Sequence, residues 1–89
     1  MMTKKDIETR INEVKHSYND VVFNYQSLGN GSWVVIMRGG LMSDDPADYM
    51  NQAVSSFVKD ELHNEFIEKF LDNPWIRIII FDFNEISFV

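Results

Sequence analysis

The chain has 89 residues, 45% of them apolar and 25% charged, with 4 Gly, 2 Pro and no Cys. That composition excludes a collagen-like, linker or disordered polypeptide, and the length leaves room for one small core, so residues 1–89 are read as a single domain. The absence of cysteine excludes disulfides, thiolate catalysis and Cys-ligated zinc, and fits a reducing compartment, with the cytoplasm as the expected location.

The formal charge is −6 and is unevenly spread. Residues 1–40 hold five basic and four acidic side chains, whereas residues 41–89 hold three basic and ten acidic. A polyphosphate needs cationic neutralisation, so direct nucleic-acid binding is not expected. A protein partner with a basic surface suits the acidic half better. No apolar run approaches the ~20 residues of a membrane span, and the N-terminus lacks the apolar stretch of a signal peptide. No membrane association is expected.

Thr3 is placed to cap a helix from Lys4 to about His16, with Asp6 three residues on as the returning acid of a capping box. Ile7, Ile11 and Val14 form one narrow apolar stripe, so this helix lies on a surface without being enclosed. Val21 to Leu28 reads as a strand with Val21, Phe23 and Tyr25 on one face and Asn24 and Gln26 on the other. Gly29-Asn30-Gly31-Ser32 is a turn, and Trp33 to Arg38 is the return strand of a β-hairpin. Gly39-Gly40 then breaks the chain.

Ser43-Asp44-Asp45-Pro46 is a helix start, since Pro suits the first helical position and acids favour the positive end of the helix dipole. The segment reads as helical to about Asp72, where Asn73-Pro74 stops it. Its apolar face does not hold one phase. At ~100° per residue, Met50, Ala53, Val54, Phe57 and Val58 point one way, and Leu62, Phe66, Ile67, Phe70 and Leu71 point roughly 160° away. The spacing predicts a long helix that breaks or bends near Lys59-Asp60-Glu61, with Asp60 available to cap a second helix, or two halves that serve different partners. Trp75 to Phe81 is apolar on both faces apart from Arg77, as in a central strand covered on both sides. Asp82-Phe83-Asn84-Glu85 is read as a turn before a final strand from Ile86 to Val89, with one long bulged strand as the alternative. The fold class is therefore α+β: helix, β-hairpin, long and broken or bent helix, then a C-terminal strand or hairpin, with an antiparallel sheet packed by helices.

On the helical reading, Glu61, Glu65, Glu68 and Asp72 fall within an arc of ~60°, forming an acidic stripe with Asp60 at its start. Carboxylates ~5–6 Å apart have a spacing comparable to phosphates along one strand, so Asp60, Glu61, Glu65, Glu68 and Asp72 are candidate protein-binding residues. The same stripe lies opposite Leu62, Phe66 and Phe70, where an amphipathic helix is polar in any case. Asp44, Asp45 and Asp48 do not match a calcium loop and are explained by helix capping, so no metal is expected. His16 and His63 stand in no ligand or catalytic pattern, and Ser55 and Ser56 lack the turn that exposes a nucleophile. No nucleophile, base and orienting acid come together, so neither an enzyme nor a cofactor is expected.

The leading expectation is a small acidic non-catalytic protein-binding module. By analogy of size and charge, it would inhibit a basic nucleic-acid-binding enzyme, as small proteins of phages and mobile elements do. The alternative is an assembly subunit that forms a homodimer or larger oligomer through surplus apolar surface. A third reading, a small ligand-binding domain or enzyme, requires a concave pocket, for which Arg38, Arg77, Asp82 and His63 are the candidate lining groups.

Overall fold

The computed structural model describes residues 2–59, 64–67 and 73–81. Among these residues two helices and four strands follow in the order α1 (Lys4–Ser17), β1 (Val22–Gly29), β2 (Ser32–Arg38), α2 (Pro46–Val58), β3 (Asn64–Ile67) and β4 (Ile76–Phe81). The strands form one antiparallel sheet in the order β1-β2-β4-β3. This is an α+β fold.

Each end of α1 is fixed by its own sequence. The Thr3 side chain accepts the Asp6 amide, and the Asp6 carboxylate accepts the Thr3 amide at 2.9 Å, completing the capping box. Those bonds hold the Asp6 carboxyl below its ordinary pKa. Ile7, Ile11 and Val14 are the buried stripe. The opposite ladder of the hairpin runs from Val22 against Arg38 to Gly29 against Ser32, with Asn30 at φ 54 in the connection.

Alternation decides which sheet face is covered. Val35, Met37, Ile79 and Phe81 are buried with Met50, Ala53, Val54 and Phe57 of α2 and the α1 stripe, so both helices lie on one face. Phe23 and Tyr25 join that core at its margin, as their spacing predicts. Arg10 locks the two helices together. Its guanidinium donates to the Phe57 and Val58 carbonyls at 2.8 and 3.3 Å, satisfying the end of α2, and lies 5.5 Å from the Phe81 ring centre. An exposed Lys59–Glu13 ion pair at 3.6 Å adds little beside this.

One expectation needs correction and a second is met in part. First, the segment after Pro46 is not helical to Asp72. The helix ends at Val58, Lys59 turns out at φ 58, and 64–67 is a strand. The break falls where the apolar phase jumps, but the second phase does not belong to a second helix at 64–67. Glu65, Phe66 and Ile67 pair instead with Ile80, Ile79 and Ile78 of β4, so tertiary strand pairing overrides a local helical pattern. Second, β4 is central, between β2 and β3, as its apolar run predicts, and its helix-facing residues are buried. Ile76, Ile78 and Ile80 point away from the helices and are half-buried. The expected turn and strand after Phe81 lie outside the described residues. No helix among the described residues is long and apolar enough to cross a membrane.

Candidate functional site

The chain must pass from the end of β2 to the start of α2 through residues 39–45, and local chemistry fixes this path closely. A Cβ on Gly39 would lie 2.9 Å from the Val21 Cα and 3.1 Å from the Asp20 carbonyl oxygen, so only glycine lets the backbone run against Val21. The Gly39 amide donates to the Trp75 carbonyl at 3.0 Å. Gly40 has φ +80, a conformation costly for other residues, and its amide donates to Asp20 Oδ2 at 2.8 Å. The Ser43 amide then donates back to the Gly40 carbonyl at 3.1 Å, closing a turn over Leu41 and Met42. Ser43 Oγ accepts the Asp45 amide, and the Asp45 side chain accepts the Asp48 amide at 3.1 Å, so the loop runs straight into the capped start of α2.

The result is a rigid tip with unusual side chains. Leu41 is 76% exposed and Met42 is 92% exposed. Turns normally carry polar residues at such positions. Asp44, Asp45 and Asp48, all exposed, follow directly.

Asp20 is the post on which the loop hangs. Besides the Gly40 amide, its Oδ1 accepts the Tyr49 hydroxyl from α2. The Tyr49 ring stands edge-on to Tyr18, with centroids 5.3 Å apart. Burial, and secondarily the bond to the Asp20 carboxylate, pushes the Tyr49 hydroxyl up to about 12 from an ordinary 10.0. The unfolded chain ionises this group first. The stability it contributes is therefore complete below pH 10.0 and lost as pH rises toward about 12. Thermal melts across this range should show a steeper alkaline loss for the wild type than for Tyr49→Phe; equal slopes would remove Tyr49 from the linkage.

Beside the tip, on the sheet face away from the helices, lies a cleft of about 390 Å³. Val22, Arg38 and Ile76, which are neighbours across three strands, form its floor, and Leu41 and Trp75 form walls. Asp20 and Asn73 supply polar groups at its edge, with Asn73 Oδ1 accepting the Trp75 amide at 2.8 Å. Trp75 is 40% exposed. Among the described residues the Arg38 side chain makes no hydrogen bond or ion pair.

The residues singled out from sequence are distributed differently. Glu65 stands in strand β3, so the acidic stripe does not run along one continuous helix through it. Asp60, Glu61, Glu68 and Asp72 lie outside the described residues, as do His63 and Asp82. Arg38 lines this cleft, whereas Arg77 is not among its lining residues: it is 1% exposed on the helix-facing side and bonded to Asn51, Asn73 and Ile76. Asp45 caps α2, and among the described residues no group of three or more His, Asp or Glu is placed to hold a metal ion. The Leu41-Met42 tip was missed. Its signal is two large apolar residues set between Gly39-Gly40 and Ser43-Asp44, where breakers on both sides leave no element to bury them.

Comparison of the chain with protein-family models, with curated proteins and with solved structures gives no significant match.

Proposed function

We propose that this protein is a small non-catalytic protein-binding module whose contact point is the Leu41-Met42 tip. The observation that carries the reading is that a turn held by the Gly39, Gly40 and Ser43 amides, bonded to the Trp75 carbonyl, the Asp20 carboxylate and the Gly40 carbonyl, presents two large apolar side chains to solvent. A pre-ordered anchor loses little conformational entropy on docking, so its burial converts more fully into affinity. Asp44, Asp45 and Asp48 place negative charge next to the anchor. The partner is then a protein with an apolar socket rimmed by Lys and Arg, and the acids accelerate encounter more than they add affinity. A basic nucleic-acid-binding enzyme, inhibited by occlusion, is the partner class most in keeping with this chemistry.

The test is affinity capture from a lysate of the source cell with wild type, Met42→Ser and the pair Asp44→Asn with Asp45→Asn. Asn keeps the helix cap, so the pair changes charge and not fold. The same basic partner should be held by the wild type and lost on Met42→Ser, with affinity down by about 30-fold or more. The double Asn variant should retain it but bind more slowly and with less dependence on salt. Capture that is indifferent to Met42 would defeat the proposal.

A second reading, self-assembly, is favoured by a different observation. Residues 21–37 contain no charged side chain, although the chain carries −6 overall. Within them β1 is an edge strand among the described residues, with Val22 and Leu28 exposed, and it lacks the charges and prolines that usually block strand addition. Light scattering on the same samples separates the two: a dimer that persists in high salt and ignores Met42→Ser supports β1-edge assembly.

A further inference from the structure

We infer that the cleft beside the tip is a binding site for a small amphipathic monocarboxylate, with Arg38 holding the carboxylate and Trp75 flanking an apolar body. This goes beyond the protein-binding reading, which needs Met42 and not Arg38.

The argument starts from the charges. Cations elsewhere in the described chain are occupied or lie on helix surfaces: Arg10 bonds the end of α2, Arg77 is buried, and Lys59 pairs with Glu13. Arg38 is an exposed guanidinium at the end of β2 with no partner among the described residues, and it borders a concave space. A guanidinium presents a planar fork of donors that matches a carboxylate in two bonds. The carboxylate already at the cleft, Asp20, does not fill this role. Its two oxygens accept the Gly40 amide and the Tyr49 hydroxyl, and it makes no ion pair with Arg38.

Apart from Asp20 and Asn73 at its edge, the rest of the cleft is apolar. Val22, Leu41, Trp75 and Ile76 surround the volume of about 390 Å³, which falls at the lower end of the range for small-molecule sites, roughly 300–1,000 Å³. An indole wall favours a flat ring by stacking. The walls are also pre-formed, because the Gly39–Trp75 backbone bond fixes the separation of the two segments that carry Leu41 and Trp75. A free phosphate or a sugar would leave the apolar walls unused, and a neutral hydrocarbon would leave Arg38 unused. The acidic character of the whole chain opposes an anion only weakly, since screening at physiological salt limits it to about 8 Å.

The test is an amide NMR titration of the full chain with 2-naphthoate, and with 2-naphthalenemethanol as the uncharged counterpart. Shifts should centre on Val22, Gly39, Leu41, the Trp75 indole and Ile76. The acid should bind at least about tenfold more tightly than the alcohol, the minimum expected for a charge-assisted pair. Arg38→Gln should erase that preference while leaving the rest of the spectrum native, and Arg38→Lys should restore part of it. Equal affinity for acid and alcohol, shifts centred elsewhere, or no shift by about 10 mM would each overturn the inference. If Arg38→Gln disturbs the spectrum, the acid-to-alcohol ratio on the wild type still decides. No partner protein is involved, so this outcome is independent of the capture experiment.

Discussion

Truncation of Phe57 to Ala is expected to remove about 3–5 kcal/mol of stability, the range for deleting a fully buried aromatic side chain. Phe57 is the last core residue of α2 and has no exposed surface. Its ring lies 5.5 Å from Phe23 of β1 and 5.6 Å from Phe81 of β4, so one side chain joins the helix to strands on both sides of β2. The residue cannot be replaced by relaxation of its neighbours, because Arg10 holds the Phe57 carbonyl and stands over Phe81. A domain of this length is expected to have a total stability of about 4–13 kcal/mol. The loss is therefore a large part of the whole. Urea unfolding followed by tryptophan fluorescence measures it, and Phe57→Leu, which keeps most of the volume, should cost less than about 1.5 kcal/mol. A loss below about 1 kcal/mol for the Ala variant would mean that the three aromatic rings do not form the centre of the core.

What could be read in advance divides along the range of the forces involved. The capping box at Thr3 and Asp6, the Pro46 helix start and the Gly29–Ser32 turn are set by residues within a few positions of one another, and each stands where its spacing places it. The alternation that puts Phe23 and Tyr25 against the core is equally local. The segment after Lys59 is different. Its helical wheel was internally consistent, but Glu65, Phe66 and Ile67 find hydrogen-bonding partners in β4, ten or more residues further on, and a wheel cannot show such a partner. Arg10 falls outside the apolar stripe of α1, and nothing nearby in sequence reveals the α2 carbonyl it reaches 47 residues away. The same limit hid the tip. The breakers on either side of Leu41 and Met42 stand in the sequence, but the bonds from Asp20 and Trp75 that hold the loop do not.

Arg77 supplies the sharper test of how the core tolerates polarity. Arg77→Ala is expected to destabilise by about 3–5 kcal/mol, Arg77→Lys by about 2–3 and Arg77→Met by about 1–2, in that order. The side chain is 1% exposed on a central strand, at the position in β4 paired with Met37. Its Nε donates to Asn51 Oδ1 of α2 at 3.1 Å, and one terminal nitrogen donates to the Asn73 and Ile76 carbonyls at 3.1 and 2.8 Å. One guanidinium thus ties the exposed side of α2 to the turn that feeds β4. Two opposing terms set the ranking. Removing a buried charge recovers its desolvation cost, which favours Met. Removing the donors strands these three acceptors, but Asn51 is exposed and Asn73 and Ile76 are half-buried, so water can reach them and limit that penalty. Ala loses the donors and leaves a cavity as well. Lys keeps the buried charge without the fork needed to reach acceptors on two elements. The three variants, compared by urea unfolding, separate the terms: Met as costly as Ala would show that the hydrogen bonds dominate, and Met equal to wild type would show that Arg77 acts only by filling space.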